Sequence, residues 1–276
     1  MALLLMYITN NPEIALVAEK HGINRIWIDL ETHGKEERQK NMNTVKSKHK
    51  VEDIGVIKQL LTKAEILVRV NPWNENSWKE IDSVVKAGAD IIMLPMWTCV
   101  EEVQNFLDAV GGRTKTTLLL ETKEAVECIN TVIQLPGIDE IHVGLNDLHL
   151  SFGMTFMFEL LSNGTVEMLC NRFKAAGIPY GFGGIAKIGE GMLPAEKIVL
   201  EHYRLGSTRA ILSRTFCNNA EIDNIDEIDR VLDINMKVLR EFEEYAANVG
   251  QSVYQANKVE VVECVNKVVS AIKEIK

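Results

Sequence analysis

Short apolar runs alternate along most of the chain with stretches whose apolar residues recur at helical spacing. LLLMYIT (3–9), RIWIDLE (25–31), EILVRVN (65–71), DIIMLPM (90–96), TTLLLE (116–121), EIHVGLN (140–146), IPYGFGGI (178–185) and TRAILSR (208–214) predict eight strands. Helical patterns lie between them: 10–22, with Pro near its first turn and Gly after its last, then 51–64, 76–88, 100–111, a segment after Glu121, 152–176 and 194–206. Strands this apolar are buried on both faces, as parallel strands are. Eight of them alternating with helices predict an α/β fold, a closed (β/α)8 TIM barrel with additional C-terminal helices. An open doubly wound sheet is the competitor, but it usually has fewer strands and needs a switch point that the pattern does not provide.

The barrel is expected over 1–220 as the catalytic domain, with a helical extension over 221–276. Its last helix carries Val261, Val265, Val268, Ile272 and Ile275 on one stripe. An apolar face with nothing left in the barrel to cover it predicts a subunit contact, hence a homo-oligomer. A lid over the closed end of the barrel is the alternative.

Composition narrows the class. Apolar residues make up 46 % and charged residues 25 %, ordinary for a soluble globular protein. The net charge of −9 argues against a dedicated nucleic-acid or membrane-surface binder, whose footprint would be basic. The cysteines (Cys99, Cys128, Cys170, Cys217, Cys264) are odd in number and never spaced C-x-x-C, which speaks for a reducing, cytoplasmic compartment. MALLLMYIT is short and lacks a basic n-region, so it reads as a first strand rather than a signal peptide. No apolar run approaches a membrane span.

Functional groups of parallel α/β folds gather at the carboxyl ends of strands. Here those ends present Asp29 and Glu31, Arg69 and Asn71, Met96 and Trp97, Glu121, Asn146 and Asp147, Gly181 to Gly184, and Ser213 and Arg214. Glu121 and Asp147 stand one strand apart. Hard cations such as Mg²⁺ or Mn²⁺ take carboxylate oxygens, so the pair predicts a divalent-metal site; for either acid alone a helix cap competes. Gly144 at a strand end lets the following N–H groups, Asn146 among them, form an anion nest that suits the carboxylate of a 2-oxo acid. Arg69 is placed to stabilise an oxygen that becomes an enolate, with a salt bridge to Glu31 or Glu121 as its competing role. The 32–50 connection is long and basic, with Lys35 and Arg38 among its cations. It predicts an anionic second substrate, against the plainer reading of a solvated charge run. The glycines of 181–191 fit tight packing better than a phosphate loop, since no Lys-Ser/Thr follows.

In this order WIDLETH, LVRVNPW, ADIIMLPM, LLLET-x-EAV and the G-x-N-D-L of HVGLNDL resemble the HpcH/HpaI aldolase/citrate lyase β-subunit family, over about 25–215. That family belongs to the pyruvate/phosphoenolpyruvate barrel superfamily. The resemblance implies a metal-dependent lyase that makes or breaks a carbon–carbon bond next to a pyruvate unit, taking a 2-oxo acid and an aldehyde. It matches Glu121 and Asp147 to the metal ligands, Arg69 to the arginine on the keto oxygen, and the amides of Asn146 and Asp147 to those receiving the carboxylate. The chain departs from the family at the base. Family aldolases usually read Asp-x-Glu-His, whereas this chain reads Asp29-Leu30-Glu31-Thr32-His33, one residue late. His33 reaches the site through a local bulge, or His49 takes the role, or both are solvated loop histidines; a base must come within about 3 Å, directly or through one water. The alternatives on the same frame are a CoA-ester lyase of the citrate lyase β type and a barrel without catalysis that serves as a binding partner.

Overall fold

The computed structural model describes residues 2–33, 49–218, 221, 222 and 224–275. The eight strands close into one parallel barrel in sequence order: β1 (Leu4–Ile8), β2 (Arg25–Asp29), β3 (Glu65–Arg69), β4 (Ile91–Leu94), β5 (Lys115–Leu120), β6 (Glu140–Val143), β7 (Tyr180–Ile185) and β8 (Arg209–Leu212), with β8 pairing back onto β1. The helices are α1 (Pro12–Lys20), α2 (Val51–Lys58), α3 (Ser77–Ala87), α4 (Val100–Val110), α5 (Lys123–Val132), α6 (Leu145–Ser151), α7 (Glu159–Ser162), α8 (Thr165–Ala175), α9 (Ala195–Leu205), α10 (Ile225–Asn248) and α11 (Gln251–Ile275). Their ends follow local chemistry. Asn11 caps α1 by accepting from the N–H groups of Glu13 and Ile14, and Gly88 closes α3 at φ 101°, a conformation glycine adopts without a Cβ penalty.

Alternate residues of each strand face the barrel axis. They stack in three layers. The middle layer is apolar: Met6, Trp27, Leu67, Ile91, Met93 and Leu119 form a core separate from the larger one between strands and helices. Below it lies a charged floor of Arg25, Glu65, Glu140 and Arg209 with Thr117. Above it, at the carboxyl ends, lies the mouth.

Except at β7, the predicted strands run past the observed ones by one to three residues at the mouth. β2 stops at Asp29, β3 at Arg69 and β6 at Val143. Asp147 is accordingly not a strand-end residue: it sits in the first turn of α6.

The C-terminal stripe finds its cover within the chain. Val261 and Val265 are buried, Val268 and Ile272 pack partly against the main core, and α11 lies on α9 and α7. Asn257 of α11 donates to the Lys197 carbonyl (3.1 Å) and to Glu201 Oε1 (3.0 Å). Val261 and Val265 are thus covered by the chain itself, while Val268 and Ile272 stay half-buried. α10 joins the barrel wall too, for Glu243 Oε1 accepts the Leu3 N–H (2.7 Å) and Arg240 donates to the Leu3 carbonyl (3.0 Å).

Candidate active site

The mouth is built around Arg69, the last residue of β3. Its register partner on β2 is Asp29, and the two form a bidentate pair, Nε to Oδ1 and Nη2 to Oδ2, both 2.9 Å. Nη1 lies 3.1 Å from Glu31 Oε2 and 3.9 Å from Glu121 Oε1. Beneath, the guanidinium carbon stands 5.3 Å from the Trp27 ring, so the cation is also held from the middle layer. Burial pulls the pKa of Arg69 down, but Asp29 and Glu31 outweigh it and the net direction is up. Arg69 is therefore a permanent, oriented cation, and both roles expected of it, salt bridge and electrophile, are compatible with this geometry.

Asp29, Glu31 and Glu121 are each buried. Glu121 lies against Gly144. A Cβ on that glycine would stand 2.6 Å from Glu121 Cγ and 2.8 Å from Oε1. That close approach is the reason for glycine here, rather than an unusual backbone: φ is −83°, and the Gly144 N–H is bonded to the Leu120 carbonyl (2.9 Å). The nest expected from glycine freedom at 144 is thus corrected to a cradle for a carboxylate. Asn146 is exposed and Asp147 half-buried, both in the first turn of α6, whose N–H groups have no intrahelical acceptors.

Among the described residues no group of three or more His, Cys, Asp or Glu side chains could hold a metal. What is present is a pair of hard oxygen donors, Glu121 and Asp147, with Glu121 seated where a side chain at 144 would exclude it. That donor chemistry fits Mg²⁺ or Mn²⁺ completed by water and substrate oxygens, and does not fit a soft or tetrahedral site.

Two histidines flank the acids differently. The Asp29 N–H donates to His49 Nδ1 at 2.9 Å, so Nδ1 carries the lone pair and, in the neutral ring, Nε2 carries the hydrogen. A ring held this way has no lone pair left for an incoming proton. His33 is exposed, and its backbone N–H is held by Asn71 Oδ1 (3.1 Å). Lys35 and Arg38 lie outside the described residues.

Sequence reasoning placed Asn71 on this face without a role and missed Glu80 altogether. Asn71 Oδ1 accepts from Thr32 N–H, Thr32 Oγ1 and His33 N–H (2.9, 3.2 and 3.1 Å), while its Nδ2 donates to Glu80 Oε1 (2.8 Å). Nothing in the pattern marks a lone acid in the first turn of α3. At the β4 exit Met96 takes φ 54°, the one positive-φ non-glycine residue among those described. Next to it the Trp97 carbonyl accepts from Thr122 Oγ1 (2.8 Å), which ties that exit to the residue after Glu121. A left-handed Met is strain of about 1–2 kcal/mol carried at the mouth.

Comparison with known proteins bears on the family and the fold. The family model for HpcH/HpaI aldolase/citrate lyase matches residues 3–161. The chain belongs to that family. Its fold is similar to that of an HpcH/HpaI aldolase from Desulfitobacterium hafniense DCB-2, at 15 % identity and TM-score 0.60 over 77 % of this chain and 86 % of that one. An HpcH/HpaI aldolase/citrate lyase family protein from Burkholderia cenocepacia J2315 (13 %, TM-score 0.60, 87 % and 94 % covered) and the citrate synthase SbnG (16 %, TM-score 0.59, 88 % and 95 %) are similar to it as well. A search of curated proteins finds no match. Membership in this aldolase and citrate lyase family supports a lyase-type function. Among the described residues no helix is long and apolar enough to cross a membrane.

Proposed function

We propose that this HpcH/HpaI family member is a divalent-metal-dependent carbon–carbon lyase of the 2-oxo acid aldolase type, working through a pyruvate enolate. The observation that carries the reading is Arg69, clamped by Asp29 and Glu31, with Glu121 at 3.9 Å in its glycine cradle.

In this reading Glu121 and Asp147 would hold Mg²⁺ or Mn²⁺, which supplies polarisation of the keto group and so acidifies the C3 protons. Arg69 keeps N–H donors beyond the three engaged by Asp29 and Glu31, and these stabilise the keto oxygen as charge develops on it. The first-turn amides of Asn146 and Asp147 receive the substrate carboxylate. His33 takes the C3 proton, because the only lone pair of His49 is occupied by the Asp29 N–H; His49 instead fixes the β2 exit and presents Nε2–H as a donor. The aldehyde partner is anionic, drawn by Lys35 and Arg38.

The test follows C3 hydrogen exchange of pyruvate in D₂O by NMR, with and without Mn²⁺, beside Mn²⁺ titration. Metal-dependent exchange that vanishes in Glu121→Ala, together with lost Mn²⁺ binding, is expected. Absence of exchange in the wild-type protein, or unchanged Mn²⁺ binding by both Glu121→Ala and Asp147→Ala, overturns the reading. Replacing Lys35 or Arg38 by Ala should raise KM for phosphorylated or carboxylated aldehydes and leave neutral ones alone; no difference removes the anionic partner.

A further inference from the structure

We propose that Glu80, acting through Asn71, is a positioning residue that fixes the Glu31–His33 segment over the mouth; the catalytic consequence rests on the function proposed above. Glu80 stands in the first turn of α3 and is half-buried. Its Oε1 accepts from Asn71 Nδ2 at 2.8 Å, and both of its oxygens lie within reach of the Asn71 N–H (3.3 and 3.4 Å).

The chemistry of an amide makes this contact directional. A carboxylate only accepts, so the Asn71 NH₂ must face Glu80 and its Oδ1 must face the other way. There it meets three donors of the β2 exit: the N–H groups of Thr32 and His33 and the Thr32 hydroxyl. Without an acceptor at 80 the amide has no reason to keep that orientation, and two backbone donors at the exit lose their partner together. The segment so held carries Glu31, which bonds Arg69, and His33, so one distant carboxylate sets two groups of the mouth. Burial pushes the Glu80 carboxyl up, and the Asn71 hydrogen bonds and nearby His33 offset only part of that shift.

Amide hydrogen exchange of Thr32 and His33 and the kinetics of Mn²⁺-dependent pyruvate C3 exchange test the proposal on the full-length protein. Glu80→Ala should speed exchange of both amides by about tenfold, as expected for a lost hydrogen bond. It should also lower kcat about 10²-fold through misplacement, with KM for pyruvate and Mn²⁺ affinity little changed. Glu80→Gln, which keeps an acceptor for Asn71 Nδ2, should recover most of both effects. Asn71→Ala should reproduce Glu80→Ala, and it stands in should the latter fail to fold. Unchanged amide exchange and kcat in Glu80→Ala overturn the proposal, and so does Glu80→Gln behaving like Glu80→Ala, since that would assign the effect to charge. Failure of the aldolase reading looks different: wild-type protein without C3 exchange, while the amide data still report the clamp.

Discussion

The two ends of the barrel are built from the same pieces in opposite order. At the floor Arg25 of β2 is the register partner of Glu65 of β3; at the mouth Asp29 of β2 is the register partner of Arg69 of β3. What differs is the far wall. At the floor β6 and β8 send in Glu140 and Arg209, and β5 sends in Thr117. Arg25 binds both oxygens of Glu140, Thr117 Oγ1 donates to Glu140 Oε1 (2.7 Å), and Arg209 Nη1 lies 3.3 Å from Glu140 Oε2. The two arginine contacts tie non-adjacent strands together. At the mouth the far wall offers Glu121 and the bare backbone of Gly144, and Arg69 comes no nearer to Glu121 than 3.9 Å. A charge network tied across the axis holds a barrel; one anchored on the neighbouring strand, as Arg69 is on Asp29, can admit a substrate. The lesson is that a strand-pair ion bridge becomes chemistry or architecture according to what the opposite strands contribute.

The sharpest way to break the comparison is to remove Glu140. Glu140→Ala leaves Arg209 a buried cation without its carboxylate and Arg25 with Glu65 alone, and should cost about 3–5 kcal/mol in urea unfolding, with kcat/KM unchanged below the lowered transition. A mild loss, or an activity loss without instability, would show that the floor is not the structural end. Next in size, Arg69→Met should lower kcat/KM for pyruvate C3 exchange by about 10²–10³-fold, or about 2.7–4 kcal/mol of lost stabilisation at the developing oxygen. The matching floor change, Arg25→Met, should leave that step near wild type.

Much of the frame could be read from the chain because apolar runs of strand length have few other meanings, and the Arg69, Glu121 and Asp147 blocks were identifiable because each follows such a run. The floor was invisible for the opposite reason. Arg25, Glu65, Glu140 and Arg209 are each the first residue of their strand, where a charge reads as the solvated end of a loop. Only closure brings Arg25 against a partner 115 positions away. The strand ends were overextended because residues such as Asn71 and Asn146 continue an apolar run without continuing the ladder. Glu80 left no trace, since its meaning lies in the orientation of one amide on another element. The basic run with Lys35 and Arg38 is outside the described residues, so the sequence remains the source for it.

Metal linkage sharpens the comparison at a smaller magnitude. Mn²⁺ at a hundred times its dissociation constant should stabilise the wild-type protein by about 2.7 kcal/mol. Glu121→Ala should lose that increment, and Arg25→Met, although less stable, should keep it. Thermal or urea unfolding with and without Mn²⁺ measures both. An increment surviving in Glu121→Ala would move the ion away from the mouth.

Between the two ends stands His142, two residues above Glu140 on the same strand, with Nε2–H donating to the Gly183 carbonyl (3.1 Å). Burial, with Arg209 and Arg25 nearby, holds its pKa down at about 4 against an ordinary 6.5. The unfolded chain therefore binds a proton at this position between pH 6.5 and 4 that the folded one refuses. The stability this neutral ring contributes is fully present above pH 6.5 and is lost as the pH falls toward 4, by about 1.4 kcal/mol per pH unit. His202, stacked on Phe182 and held down to about 3 by burial, adds a second loss of the same sign. Unfolding free energies at pH 7 and pH 5 should differ accordingly, and His142→Gln, which keeps a donor for Gly183, should remove about half of the slope. A slope that His142→Gln leaves unchanged would place the acid sensitivity in His202 instead, and would make the helix-facing layer around Phe182, not the barrel axis, the first part to fail in acid.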